Sequence, residues 1–239
     1  MIERLGAWLR QRPVVWVLAP GIVLMVVGLV VFGVLLEAVL DGDELWALDQ
    51  EVLAWMVAHR TDLMTAVLAA ITFVTGPVVL PIAVAVGCAV WVRVRREWWR
   101  PSLLALAMIA STLVGLAVKG FVGRERPPAE TMFIPGAETT ASFPSGHTLG
   151  TATLLLVAGY LDASRHPTRG RVVAWAVATV VGTGLVALSR LYLGYHFLSD
   201  VLAAIALAVA VLGVVCAVDR WHVWRRRDVP PTERLPVQP

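Results

Sequence analysis

The chain has 239 residues, of which 58% are hydrophobic and 15% charged, with a formal net charge of +3. A soluble domain carries roughly a quarter charged residues, so this composition excludes a water-soluble globule and specifies an integral membrane protein. The pI near 9.3 comes with a mean hydropathy of +0.76 and short basic loops beside apolar runs, which argues against a nucleic-acid surface.

In chain order, residues 1–13 carry Arg4, Arg10 and Arg12 and read as a cytoplasmic N-terminus ahead of an apolar run at 14–36. That run is longer than the apolar region of a usual signal peptide, so it reads as an uncleaved anchor. Residues 41–62 place Leu45, Leu48, Val52, Trp55, Met56 and His59 at helical spacing, with Asp49, Gln50 and Glu51 on other faces. The pattern predicts a short helix lying in the membrane interface. It can be a plain connector with an apolar side or a lip for a lipid substrate, and His59 reads as a surface residue. As one helix the following apolar stretch would reach about 48 Å, too long for one upright span. Thr75, Gly76 and Pro77 interrupt it, so it is either one tilted or kinked span or a lipid-facing segment leading into a shorter one.

Apolar runs at 103–118, 149–161, 172–188 and 201–218 bring the candidate spans to six, counting 14–36 and 67–92. Most approach the roughly 20 residues needed to cross a bilayer, and their backbones must be helical because lipid offers no hydrogen-bond partners. Residues 124–143, rich in Pro, Gly, Thr and Glu, read as a loop. The polar, proline-rich segment 225–239 is expected to be a mobile cytoplasmic tail. Cys88 and Cys216 lie inside spans and offer no disulfide framework. The reading is a single domain, 1–224, with no internal repeat.

Charge sets the topology. Arg4, Arg10 and Arg12, then Arg93, Arg95, Arg96 and Arg100, then Arg165, Arg169 and Arg171, then Arg220, Arg225, Arg226, Arg227 and Arg234 are 15 of the 20 basic residues. They sit on alternate connections, which the positive-inside rule assigns to the cytoplasm. The segment between the first two groups must therefore cross twice, and both termini are cytoplasmic. Trp8, Trp16, Trp91, Trp98, Trp99, Trp221 and Trp224 fall near the same boundaries, as an aromatic belt would. Arg60, Lys119, Arg124, Arg126 and Arg190 face the other side. Positive charge there is no topology signal, so it points to an anionic ligand.

Lys119 is the single lysine of the chain. It lies seven residues before Arg126, two turns away if the helix continued, although Pro127 and Pro128 must stop it. Phe143-Pro144-Ser145-Gly146-His147 follows immediately before the fourth span. Ser145 and Gly146 read as the cap and entry of a helix whose free amides and dipole favour an anion, with His147 beside it as proton donor. Ser189-Arg190 closes the fifth span, and His196 and Asp200 open the sixth. A spacing of four puts them on one helical face, where the carboxylate can fix the imidazole and leave its other nitrogen free to attack. Three cations, helix-end amides and two histidines suit phosphoryl chemistry, which depends on positioning and on neutralising oxygens. The nearby acids, Glu125 and Asp200, are too few to neutralise the cations, and three adjacent cations would repel a divalent metal.

These motifs, Lys119-x6-Arg126-Pro127, Pro144-Ser145-Gly146-His147 and Ser189-Arg190-x5-His196-x3-Asp200, resemble the three-part signature of the type 2 phosphatidic acid phosphatase family. That family includes bacterial undecaprenyl-diphosphate phosphatases and shares its site with vanadium haloperoxidases. The resemblance covers roughly residues 40–218. It implies His196 as the nucleophile forming a phosphohistidine, Asp200 as its orienting carboxylate, and His147 as the acid for the leaving oxygen and then the base for water. It implies Lys119, Arg126 and Arg190 on the phosphate oxygens, Ser145 and the Gly146 amide completing the cradle, and no metal or other cofactor. Arg124 and Ser189 lie nearby without a defined role.

The expectation is thus an all-α polytopic membrane protein with six transmembrane helices, an interfacial helix and extracytoplasmic active-site loops. It would hydrolyse a lipid phosphate or diphosphate at the outer face of a bacterial cytoplasmic membrane. Undecaprenyl diphosphate, phosphatidate and phosphatidylglycerophosphate all fit, because the motif residues meet phosphate and not the tail. The alternative is an anion or lipid-phosphate transporter or channel using the same basic cluster, disfavoured by spans that are nearly free of charge.

Overall fold

A computed structural model of the chain describes residues 13–42, 44–136, 138–165 and 167–225. The expected N-terminal segment 1–12 with its arginines, and the expected tail from 226 onward with Arg226, Arg227 and Arg234, lie outside the described residues. Within them the chain forms eight α-helices and no strand. They are α1 (Val14–Asp41), α2 (Glu44–Ala58), α3 (Asp62–Val74), α4 (Val79–Arg95), α5 (Trp99–Val122), α6 (Gly146–Ala163), α7 (Arg169–Tyr192) and α8 (Leu198–Arg225), with a 3₁₀ turn at Ala129–Thr131.

Four of these, α1, α5, α7 and α8, are long and apolar enough to cross a bilayer. The pair α3 and α4 passes the same test jointly, but it is bent by 52° across a short break. The interruption expected at Thr75-Gly76-Pro77 is therefore a true break, with Leu80 N–H returning to Gly76 O. Apolar side chains cover the outside of the bundle, among them Val30, Val67, Val86, Leu113 and Val180. That is an inverted arrangement for water and an ordinary one for lipid. The chain is a multi-pass membrane protein.

Small residues govern the tightest helix pair. An added Cβ on Gly28 would lie 2.5 Å from Ala210 N, and one on Gly213 would lie 2.3 Å from Met25 N. The backbones of α1 and α8 thus touch, the packing mode that lipid-embedded helices use in place of a hydrophobic drive. The helix α6 is shorter, 18 residues, and buries Thr148, Thr151, Thr153 and Val157 among its neighbours. Its uncharged but hydroxyl-rich face is turned into protein, not lipid.

The two ends of the bundle differ in chemistry. At one, Trp99 donates to Asp219 at 3.0 Å, Tyr160 joins the same carboxylate, and Arg100 and Arg165 pair with Glu97. At the other, the C-termini of α5 and α7 meet the N-termini of α6 and α8. Arg60 lies at this second end. It donates to Tyr192 O and Thr131 O, each at 2.7 Å, and clamps the backbone there. Gly194 is required beside it, since its φ is +73° and a Cβ would sit 2.1 Å from Thr131 O.

The expected interfacial segment is helical as α2, yet its inward face is not the apolar one. Asp49 and Leu53 are buried, whereas Leu48 and Trp55 are exposed. The sequence placed Asp49 off the apolar face; the partners described below draw it inward. His59 is exposed, with its Nδ1 bonded to Trp55 O at 2.7 Å. Because α1 and α8 have no room for side chains at their crossing, Gly213→Leu is expected to destabilise the fold on the order of 1–3 kcal/mol by overpacking. Gly87→Leu, where a Cβ would meet nothing within 4 Å, should leave the thermal midpoint in detergent nearly unchanged.

Candidate active site

His196 and Asp200 meet, although not as two residues on one helical face. The helix α8 starts at Leu198, so His196 precedes it and Asp200 stands in its first turn. The Asp200 carboxylate caps that turn by accepting the Phe197 N–H at 2.9 Å, and the same oxygen lies 3.1 Å from His196 Nδ1. The Ser142 hydroxyl donates to it as well. His196 Nε2 is left pointing at Arg126, with 3.3 Å to Nη1. His196 is 1% exposed and Asp200 fully buried. Burial, helped by the Arg190 and Arg126 charges and opposed by Asp200, pushes the His196 imidazole down to about 4. It is therefore neutral near pH 7, with Nδ1 engaged and Nε2 facing the cations.

Arg126 is presented from a loop. Gly123, in the left-handed region at φ 61°, ends α5 and accounts for the turn that separates Lys119 from Arg126. Arg126 Nε donates to Thr140 O at 2.6 Å and Nη1 to Tyr195 O at 2.8 Å. Lys119 Nζ donates to Ala141 O and, at 3.2 Å, to Ser142 O. It is within electrostatic reach of Arg126, Asp200, Glu138 and Arg190. Arg190 is fully buried, lies 4.6 Å over the Tyr195 ring, and leaves Nε and Nη1 without a hydrogen-bond partner. Buried guanidinium donors are costly when unmatched, and an oxyanion is the ligand that matches them.

A carboxylate that the sequence reading passed over sits among these cations. Glu138 forms ion pairs with Arg126, at 2.9 Å, and with Arg190. Burial works against its ionisation, but the Arg190 and Arg126 guanidiniums prevail and hold it down to about 2. Glu125, named from the sequence as a nearby acid, is exposed instead. A second overlooked acid is Asp49 on α2. Its Oδ2 accepts from Arg124 Nη2 at 2.7 Å, and Arg124 Nη1 reaches Asp200 Oδ1 at 2.6 Å. Arg124 thereby acquires a definite place, bridging two buried carboxylates. Ser189 acquires one too, joining Thr72 of α3 at 3.0 Å.

The helix α6 does begin at the expected point, with Ser145 as N-cap and Gly146 as first residue. Ser145 N–H donates to Asp200 O at 3.1 Å, and its hydroxyl lies 3.1 Å from that of Thr148. Gly146 is exposed, and a Cβ there would meet nothing within 4 Å. His147 is partly buried, and its Nε2 faces the break between α3 and α4, where a Cβ on Gly76 would lie 3.6 Å away. The structure therefore brings Lys119, Arg126, Arg190, His196 and Asp200 round one point, with Ser145 backed onto Asp200 and His147 in the same electrostatic neighbourhood. Asp49 and Glu138 carry no sequence signal beyond being acids in the segments that reach this end of the bundle.

The fold is that of a multi-pass helical membrane protein, and one end of its bundle gathers an anchored histidine and guanidiniums. The family model of the PAP2 superfamily matches residues 100–224, more than half of the chain, and the chain belongs to that family. Phosphatidylglycerophosphatase B of Bacillus subtilis (strain 168) is 27% identical over 197 residues, 81% of this chain and 94% of that protein. A crystal structure of a transmembrane PAP2-type phosphatidylglycerolphosphate phosphatase from Bacillus subtilis matches with a TM-score of 0.73 and 25% identity, covering 82% of this chain and 95% of that one. Aquifex aeolicus LpxE matches at a TM-score of 0.51 and 19% identity, over 73% and 95% of the two chains, which shows a shared fold.

Glu138 occupies one donor of each guanidinium and would compete there with an incoming oxyanion. Glu138→Gln is therefore expected to bind inorganic phosphate about tenfold more tightly, as for the loss of one competing charge-assisted contact. Isothermal titration in detergent checks this, and weaker binding in the variant would make Glu138 part of the ligand's shell and not its competitor.

Proposed function

We propose that the chain hydrolyses the phosphoryl head group of a membrane lipid through a phosphohistidine at His196. Membership of the PAP2 superfamily makes it a lipid phosphatase. The observation that carries the mechanism is the His196 ring itself, with Nδ1 held by Asp200 and Nε2 turned toward Arg126. In this reading Nε2 attacks phosphorus, and the bond from phosphorus to the leaving oxygen breaks. His147 gives that oxygen its proton. It then takes a proton from water as the water attacks the phosphohistidine, the P–N bond breaks, and inorganic phosphate departs. Lys119, Arg126 and Arg190 neutralise the phosphoryl oxygens, and Ser145 and the Gly146 amide complete the cradle. Transfer of this kind depends on positioning and charge neutralisation.

The substrate is a lipid phosphate or diphosphate. Phosphatidylglycerophosphate is the first to assay, because a relative covered along most of its length is called phosphatidylglycerophosphatase B. Phosphatidate and undecaprenyl diphosphate share the same head chemistry. The mechanism predicts turnover that survives EDTA and falls by several powers of ten in His196→Ala, as for loss of a nucleophile. Phosphate release by purified protein in detergent measures both. Undiminished turnover in His196→Ala would sink the phosphohistidine, and complete loss with EDTA would require a metal.

The same reading sets the protein in a bacterial cytoplasmic membrane as one domain, 1–224, with six spans: α1, the broken pair α3 and α4, α5, α6, α7 and α8. At about 27 Å, α6 is short, but α5, α7 and α8 enclose it. Both termini are cytoplasmic and the site is extracytoplasmic, in keeping with the arginines at the opposite end. Glu130 lies exposed in the outer loop. Glu130→Cys is expected to react with a membrane-impermeant thiol reagent on whole cells, and labelling only after lysis would invert the topology.

A further inference from the structure

We propose that Asp49 is a positioning residue for the nucleophile, acting on His196 through Arg124 and Asp200. This rests on the phosphatase reading for its kinetic arm only. Asp49 belongs to α2, the short helix that leaves Trp46, Leu48 and Trp55 exposed on the apolar outside of the bundle. It is nevertheless fully buried, and every contact it makes leads toward the site. Its Oδ1 accepts the Ser199 N–H at 2.9 Å, and its Oδ2 accepts from the Ser199 hydroxyl and from Arg124 Nη2. Arg124 in turn donates to Asp200 Oδ1 at 2.6 Å and to the Ser199 hydroxyl at 2.7 Å. Its guanidinium lies 4.5 Å over the Phe197 ring, the residue between His196 and α8. The chain of contacts is thus Asp49, Arg124, Asp200, His196, with sequence separations of 75, 76 and 4.

The electrostatic consequence follows from where the one cation stands. Arg124 is shared between two carboxylates, so only part of its charge is spent on Asp200. The remainder of the Asp200 charge acts on His196, with the other oxygen, at 3.1 Å. Removing the Asp49 charge would leave Arg124 to act undivided on Asp200. The carboxylate would then support the imidazolium less, and the imidazole would become a weaker base. The other charged groups around His196 oppose one another. Arg126 and Arg190 disfavour its protonation, Glu138 favours it, and His147 and Lys119 stand further round the same pocket. The Asp49–Arg124 pair touches none of these, so its influence on His196 is separable from the phosphate cradle.

The test is a pH titration of His196 in the full-length protein in detergent. It is read from ¹H–¹⁵N signals of the five histidines, with His196 assigned by its disappearance in His196→Gln. Asp49→Asn keeps an oxygen for the Ser199 N–H and is expected to lower the His196 midpoint by roughly half a unit or more, the scale on which a near charge acts. Arg124→Gln removes the cation beside Asp200 and should move the midpoint up. In that background Asp49→Asn should add little, because the cation through which Asp49 acts on Asp200 is gone. With phosphatidylglycerophosphate as substrate, Asp49→Asn should lower kcat about tenfold or more with KM little changed, and shift the acid limb to lower pH. A merely structural role for Asp49 would lower the thermal midpoint and leave the His196 midpoint where it is, and that outcome overturns the inference. So does an equal shift in both backgrounds. Absence of lipid phosphate turnover by the wild type would strike the phosphatase reading alone, since the titration needs no substrate.

Discussion

The arrangement depends on one buried carboxylate and the donors that make its burial tolerable. An unpaired charge inside protein is costly enough that it is either neutralised or surrounded. Asp200 is surrounded: by the His196 ring, the Phe197 amide, the Ser142 hydroxyl and Arg124. The donors come from three separate stretches of chain, and the Asp200 backbone carbonyl also receives Ser145 N–H at the start of α6. Satisfying this group therefore fixes the relative positions of the loop before α6, the turn before α8 and the arginine beyond α5. The same contacts choose which imidazole nitrogen is held and which is offered.

The membrane explains why the machinery gathers at helix ends. Within the hydrocarbon layer backbone groups must bond internally and charges are expensive, so the helices α1, α5, α7 and α8 carry mostly apolar surface. Their ends and the connecting loops are where cations can reach one another. Small residues let α1 and α8 approach until their backbones touch, which holds the first turn of α8, and with it Asp200, on a rigid support. The break between α3 and α4 serves a related purpose by bringing Gly76 against His147.

Charge balance in the site is finer than a count of cations. Arg126 and Arg190 share Glu138, and Arg124 is shared by Asp49 and Asp200. One carboxylate therefore stands where an anion would go, and the other two hold a cation against the histidine's support. Glu138 lies in a loop, whereas Asp49 and Asp200 stand on α2 and α8. That difference fits an exchangeable contact in the one case and a fixed one in the other.

The sequence by itself determined the class of protein, the helical content, the number of candidate runs and the residues worth watching. Those features are set by local composition and by residue types too costly to carry in a membrane without a use, such as Lys119, Arg190 and His196. The sequence also located the break at Thr75-Gly76-Pro77, whereas α5 already stops at Gly123, ahead of the Pro127-Pro128 pair expected to end it. Only the tertiary structure decided that Asp49 turns inward while Leu48 turns out, and that Glu138 rather than Glu125 faces the cations. It alone showed that Arg60 clamps backbone carbonyls and that His196 meets Asp200 through a helix cap. Several of these contacts join residues far apart in the chain, 71 positions for Arg60 with Thr131 and 150 for Asp49 with Ser199. Their energies depend on which groups share a buried volume, and no local pattern records that.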